Sequence, residues 1–263
     1  MTSRRLGLAL PAVLWTLAAI TLMLGAMVRF ARVETQLTAT LLARLQADAY
    51  LQAGVTYVVA ALEQDARAAN APPLFSRLVL DGQPIELAIV NAAGLVDINF
   101  ASEPLLLQLL QTALGWSTER ARAVVQARGA LAQPAYATLA DVRKALRLTE
   151  DEWQTLQSLV TVHAGRSGVN LWLAPVEVLS LLRPDNPQAV ASFDRARREQ
   201  GERADLTLIS SPHHQTLPVR AFRVDVAVQL PQGQRFARRY WVARQRTPPF
   251  ALGIVDRQDL STP

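Results

Sequence analysis

The chain has 263 residues, half of them hydrophobic, and a net charge of +5 to which Lys144 contributes the only lysine. That length allows one anchor and one or two modest domains, and the absence of cysteine excludes disulfide scaffolds, thiolate metal sites and cysteine nucleophiles. The arginines run from Arg4 to Arg257 and alternate with acids, as in Asp194-Arg195-Ala196-Arg197-Arg198-Glu199, which predicts a mixed, solvated surface and not the clustered basic patch that phosphate binding needs.

Arg4 and Arg5 precede residues 8–28, a run without a single charge. At 1.5 Å per helical residue the run is about 31 Å long, close to the ~30 Å of a bilayer's hydrocarbon core. The positive-inside rule keeps the arginine flank cytoplasmic and sends the rest of the chain outward. A cleaved secretory signal ending near Leu24-Gly25-Ala26 is the alternative, but its apolar region would be only about 7–15 residues. The helical pattern also continues. Phe30, Val33, Leu37, Leu41 and Leu45 recur at spacings of three and four, and Val55, Val58 and Leu62 follow, which predicts one amphipathic helix to about Ala68, roughly 90 Å in all. Pro11 would cost about 3 kcal/mol deep in such a helix and little in its first turn. A helix starting at Leu8 therefore accommodates it.

After Asn70-Ala71-Pro72-Pro73, apolar alternation in residues 77–80 and 85–90 flanks Asp81-Gly82, a hairpin signature. Residues 91–94 turn the chain into Leu95-Val96-Asp97-Ile98. Much later Phe222, Val224, Val226, Val228 and Leu230 alternate, Pro231-Gln232-Gly233-Gln234 turns, and residues 235–244 return as a strand. The block between is helical. In it a weak repeat sets Asn99 before the leucines of residues 105–110 and Asn170 before those of residues 178–182, where an Asn oxygen is expected to satisfy the first N–H groups of a helix. Thr149-Glu150-Asp151-Glu152 is a capping-box pattern. The predicted fold is α+β: a long N-terminal transmembrane helix packed on an antiparallel sheet, with an α-helical domain inserted at about residues 99–203.

Candidate chemistry is sparse. His163, His213 and His214 are the only histidines, and the last two are expected in an exposed loop without acids at ligand spacing. Ser210, Ser211, His214 and Asp205 supply the residue types of a triad without a nucleophile elbow. The reading is no enzyme, no metal and no cofactor. Leu114-Gly115-Trp116-Ser117-Thr118-Glu119-Arg120-Ala121 has the outline of a helix-hairpin-helix, so a membrane-anchored DNA-binding or uptake protein is the alternative. Ser117 stands where the motif's second glycine would be, and Leu146-Arg147-Leu148-Thr149 has no glycine at all, so the backbone approaches phosphate less closely.

Arg5-Leu6-Gly7 followed by Leu8-Ala9-Leu10-Pro11-Ala12-Val13-Leu14-Trp15 resembles the prepilin signal of the type II secretion minor pseudopilin K family, the general secretion pathway protein K. The stretch Ala49-Tyr50-Leu51-Gln52-Ala53-Gly54 resembles one far along that family's first helix. Val169-Asn170 followed by Ala174-Pro175 and a leucine-rich helix, and Leu159-Val160-Thr161-Val162, are also similar. Ala12 stands where most pilins have glutamate, a departure that the K members share; an unpaired carboxylate in hydrocarbon is expensive.

The resemblance implies a pilin-like fold whose inserted domain is of the SAM or helix-hairpin-helix type. It implies prepilin peptidase cleavage between Gly7 and Leu8, N-methylation of Leu8, and an inner-membrane, single-pass protein with a cytoplasmic N-terminus and a periplasmic C-terminal region. The divisions are then 1–7 leader, 8–28 transmembrane segment, 29–68 periplasmic helix, 74–98 first part of the sheet, 99–203 helical domain, and 204–263 second part of the sheet with a C-terminal tail. Partners would be the I and J minor pseudopilins and other pseudopilus subunits, joined through Phe30, Val33, Leu37, Leu41 and Leu45, with no nucleic acid. Calcium-binding members carry an Asp-rich insertion, since Ca²⁺ takes six to eight oxygen ligands; residues 129–138 show no such set, and calcium is not carried over.

Overall fold

The computed structural model describes residues 9–65, 71–131, 134–200, 204–216, 219–244 and 252–260. The proposed processing pair Gly7 and Leu8, and Ala68 with Asn70 at the expected helix end, lie outside them. The chain divides into two compact units, Met1–Ala49 and Tyr50–Pro263.

Helix α1 (Ala9–Gln64) runs through the first unit, with Pro11 in the first turn of its described length. The segment is rich in Ala and Leu, the strongest helix formers. Its threonines turn their hydroxyls back onto the helix: Thr16 and Thr21 donate to the carbonyls of Val13 and Leu17 at 2.9 and 2.8 Å, and Thr35, Thr38 and Thr40 do the same further on. Polar groups satisfied within the helix are what hydrocarbon requires. By length and composition this helix is able to cross a membrane.

The second unit is built on a five-stranded antiparallel sheet. Strands β1 (Leu74–Leu80) and β2 (Gln83–Asn91) form the predicted hairpin, and Asp81 and Gly82 both take positive φ, 51° and 76°, as a tight turn matched to strand twist requires. Two short strands, β3 (Val96–Asp97) and β4 (Val160–Thr161), pair in parallel away from the main sheet. Strands β5 (Ala221–Gln229), β6 (Arg235–Arg244) and β7 (Leu252–Leu260) complete it in the order β1-β2-β5-β6-β7. The expected C-terminal tail therefore contains an edge strand, β7, that the sequence reading did not anticipate.

Alternation gives the sheet two different faces. Ile85, Leu87, Val224, Val226 and Val228 lie on one face, buried with Leu51, Val55, Val58 and Leu62 of α1. At Gly54 the helix comes so close that an added Cβ would sit 2.7 Å from Val226 Cγ1. At the end of α1, Glu63 accepts from the Leu252 N–H at 3.0 Å. The opposite face contributes Val90, Ala221 and Trp241 to a second core, shared with the helical segment that follows β2.

That segment holds α2 (Glu103–Leu114), α3 (Thr118–Gly129), α4 (Leu139–Leu146), α5 (Glu150–Leu159), α6 (Val176–Leu182) and α7 (Pro187–Gln200). In α2, Leu105, Leu106, Leu109 and Leu110 recur at helical spacing and are buried in this core. The capping box opening α5 is complete: Thr149 Oγ1 accepts from Glu152 N at 3.3 Å, and Glu152 accepts from Thr149 N at 2.9 Å. Thr149→Ala should cost about 1 kcal/mol, read as a lower thermal midpoint, since it leaves one first-turn N–H unsatisfied.

The two asparagines of the sequence repeat are not caps. Helix α2 begins at Glu103 behind Ser102, and α6 at Val176 behind Pro175. Asn99 instead accepts from the Tyr136 N–H at 2.8 Å and donates to its carbonyl at 2.9 Å, clamping a loop 37 residues away. Asn170 folds onto Trp172 N at 3.0 Å in a local turn. Both positions still lie three or more residues ahead of a helix. The chain needs a turn there before it needs a cap.

Candidate assembly surface

The candidate site is the surface of α1 in the first unit. Phe30, Val33, Leu37, Leu41 and Leu45 are 75%, 54%, 60%, 60% and 66% exposed. Large apolar side chains spaced three and four apart along a helix form a stripe. Isolated exposed apolar residues need no explanation, but a contiguous set marks a surface that something covers. The stripe is shorter than the sequence suggested. Val55, Val58 and Leu62 belong to the second unit and are at most 5% exposed, because the sheet already covers them. Of the apolar positions in that stripe, those in residues 30–45 are the exposed ones.

Elsewhere the charged groups do structural work. Arg239 on β6 donates to both oxygens of Asp225 on β5, at 2.7 and 2.9 Å, and its third nitrogen reaches the Gln157 carbonyl at 2.9 Å. Arg223 on β5 donates to the Ser158 carbonyl at 2.7 Å. Both carbonyls belong to the last turn of α5, where helix carbonyls lack partners and the dipole favours cations. Burial, reinforced by the neighbouring Arg239 charge, brings the Arg223 guanidinium down to about 10. Two sheet arginines thus fasten the helical segment to the sheet.

Arg197 is an exception to the solvated charge run expected at residues 194–199, where Arg195, Arg198 and Glu199 are exposed. It is 1% exposed, and its guanidinium donates to the carbonyls of Leu171, Trp172 and Ala174 and to Asp194. Asp97 is fully buried. Its carboxylate accepts from the N–H groups of Asn99 at 2.8 Å and Gly165 at 2.6 Å, while burial pushes its pKa above the ordinary value.

The histidines are not in an open loop either. Residues 213–215 bridge to Val169, whose N–H donates to the His213 carbonyl at 2.8 Å, and a Cβ on Gly168 would collide with that same carbonyl. Burial lowers the pKa of both His163 and His213. The triad residue types are not brought together. His214 Nδ1 accepts from Leu171 N at 3.4 Å, Asp205 caps Thr207 N at 2.8 Å, and Ser211 Oγ accepts from His213 N at 3.3 Å. Among the described residues no group of three or more His, Asp or Glu gathers as a metal site.

The helix-hairpin-helix outline has structural substance. Gly115 takes positive φ between the packed helices α2 and α3, and Arg147 takes positive φ where α4 ends ahead of α5. The first turn of α5 holds Glu150, Asp151 and Glu152, and that of α3 holds Glu119, acids that a helix N-terminus favours. Trp116 donates its indole N–H to Glu152 at 2.6 Å, and Arg120 lies over its ring, 3.6 Å from the centroid.

No family model matches the chain, and no curated protein matches it by sequence. The exposed stripe on an apolar helix remains the feature with the clearest chemical consequence.

Proposed function

We propose that the chain is a minor pseudopilin of the K type, a structural subunit of a type II protein secretion system that starts or caps the pseudopilus as part of a tip complex. The observation that carries the reading is the exposed stripe of residues 30–45 on a helix long and apolar enough to span a bilayer. Three further features support it: the close approach of Gly54 to an antiparallel sheet, the resemblance of residues 5–15 to a prepilin signal, and the helical segment lying in sequence between strands β2 and β5. In this reading the fold is pilin-like with an inserted helical domain at residues 99–203, the anchor sits in the inner membrane, and the C-terminal region is periplasmic.

Function is then assembly, without catalysis or cofactor. Prepilin peptidase cuts between Gly7 and Leu8 and methylates Leu8, and lateral contact through Phe30, Val33, Leu37, Leu41 and Leu45 joins the I and J minor pseudopilins. Burying an exposed Leu is worth about 1.5–3 kcal/mol, so a charge at two adjacent stripe positions removes much of the association energy and adds an unpaired carboxylate. The double variant Leu37→Asp, Leu41→Asp is expected to lose co-purification with those partners at least tenfold while its soluble-side fold is kept. Undiminished recovery would remove the stripe from the account. Mass spectrometry of the N-terminal peptide from native membranes should find methylated Leu8; a peptide beginning near Met27 would point to a conventional signal peptide instead.

A further inference from the structure

Among the described residues strand β1 is an edge of the five-stranded sheet, paired with β2 on one side only. An edge offers a row of N–H and C=O groups to any other strand, and folded proteins blunt such edges with charges, prolines or bulges. The opposite edge is blunted in this way. Strand β7 carries Asp256, Arg257 and Asp259, and its pairing with β6 is interrupted between Trp241 and Val242. Strand β1 reads Leu74-Phe75-Ser76-Arg77-Leu78-Val79-Leu80, with one charge, no proline and an unbroken register against β2. Phe75 and Val79 are 69% and 62% exposed. The less protected edge is also the more apolar one.

The register says what an occupant must carry. Phe75, Arg77 and Val79 share one face, opposite Ala88, Glu86 and Pro84 of β2. Glu86, the cross-strand neighbour of Arg77, is engaged by Arg235 at 2.8 Å. Arg77 is exposed and sits at the centre of the seven-residue strand. A second copy laid antiparallel on this edge, in the register that pairs all seven residues, would set Arg77 opposite Arg77. Like charges directly opposite are destabilising, whereas an opposite charge there is favourable. The edge therefore selects against its own copy and for an acidic partner strand.

We propose that the β1 edge is a β-augmentation site for an extended segment of a partner protein, apolar at alternate positions and acidic at the residue opposite Arg77. Main-chain hydrogen bonds supply affinity, and Phe75, Arg77 and Val79 supply the selection. The site is separate from the α1 stripe and stands whether or not the secretion reading does.

The test uses the full chain in detergent and labelled synthetic peptides read by fluorescence anisotropy. The first is Thr-Val-Thr-Glu-Thr-Val-Thr, which places two valines and the acid on one face; the second has Lys for Glu; the third is the acidic peptide with alternate backbone nitrogens methylated. The acidic peptide is expected to bind at least tenfold tighter than the lysine peptide, and N-methylation to abolish binding. Arg77→Glu, made together with Glu86→Gln so that no like-charged pair is created across β1 and β2, should reverse the preference. Equal binding of the first two peptides, binding that survives N-methylation, or a preference unmoved by that double variant would overturn the proposal. So would light-scattering dimers of the wild-type chain that either unmethylated peptide dissolves, because the edge would then belong to a second copy.

Discussion

Gly54→Leu is expected to unpack α1 from the sheet and to lower the thermal midpoint of the full chain by about 10 °C. A Cβ at Gly54 alone would lie 2.7 Å from Val226 Cγ1, 3.2 Å from Ile85 Cγ2 and 3.3 Å from Leu87 Cδ2. All three neighbours are buried core side chains with little room to retreat. Glycine inside a helix costs about 1 kcal/mol relative to alanine, so its presence here is explained by proximity and not by backbone conformation. Overpacking costs about 1–3 kcal/mol for small insertions and occasionally more. Gly54→Ala combines a propensity gain with a methyl overlap and should be mildly destabilising. Leucine adds three further carbons to the same overlap and should cost about 3 kcal/mol or more, which at about 2–4 °C per kcal/mol for a chain of this size gives the stated shift. Thermal unfolding followed by tryptophan fluorescence reads it, since Trp241 is buried on the same sheet. In the cycle with Val226→Ala, the double variant Gly54→Ala, Val226→Ala should lose less stability than the two single losses summed, because the second change opens the space that the first one fills. Strict additivity would show that the contact does not set the spacing between helix and sheet.

Where local chemistry dictates conformation, the sequence was legible. Asp81-Gly82 permits the positive φ of a tight hairpin, Thr149 and Glu152 have the spacing that closes a capping box, and residues 222–230 alternate because each strand face meets a different environment. The sequence did not reveal features set by distant partners. The second half of strand β7 carries Asp256-Arg257-Gln258-Asp259, and as an edge strand it needs no apolar alternation, so its pairing with β6 leaves little trace. Asn99 looked like a cap because its partner, Tyr136, is 37 residues away. The stripe on α1 read as continuous because residues 30–45 and 51–62 share one spacing, although the second group is buried against the sheet. Nothing in the pattern of β5 and β6 announces that Arg223 and Arg239 point at the carbonyls ending α5. Alternation alone makes an arginine on the non-α1 face solvated, yet the end of α5 lies against that face.

Arg197→Met should cost about 3–5 kcal/mol, the range for breaking a buried ion pair by removing one partner, with a thermal shift on the order of 10 °C. Methionine keeps most of the side chain's volume beside Phe193, so the loss isolates the guanidinium. Three carbonyls, of Leu171, Trp172 and Ala174, would lose their donor at 3.4, 3.0 and 2.7 Å, and Asp194 would keep only the half-exposed Arg198 at 2.9 Å. These carbonyls belong to the turn leading into α6, so that turn and the contact between α6 and α7 should loosen before the sheet does. The pH dependence separates this from a simple packing defect. Burial pushes the Asp194 carboxyl upward, but hydrogen bonds from Arg197 and Arg198 more than offset it and hold its pKa below the ordinary value. A carboxyl depressed in the folded state contributes stability that is fully present above its unfolded pKa, near 3.9, and is lost as pH falls through the lower folded value. The stability gap between wild type and Arg197→Met should therefore be constant from neutral pH down to about 4 and narrow below it. A gap that stayed unchanged to pH 2 would assign the whole effect to the three carbonyls and none to the ion pair.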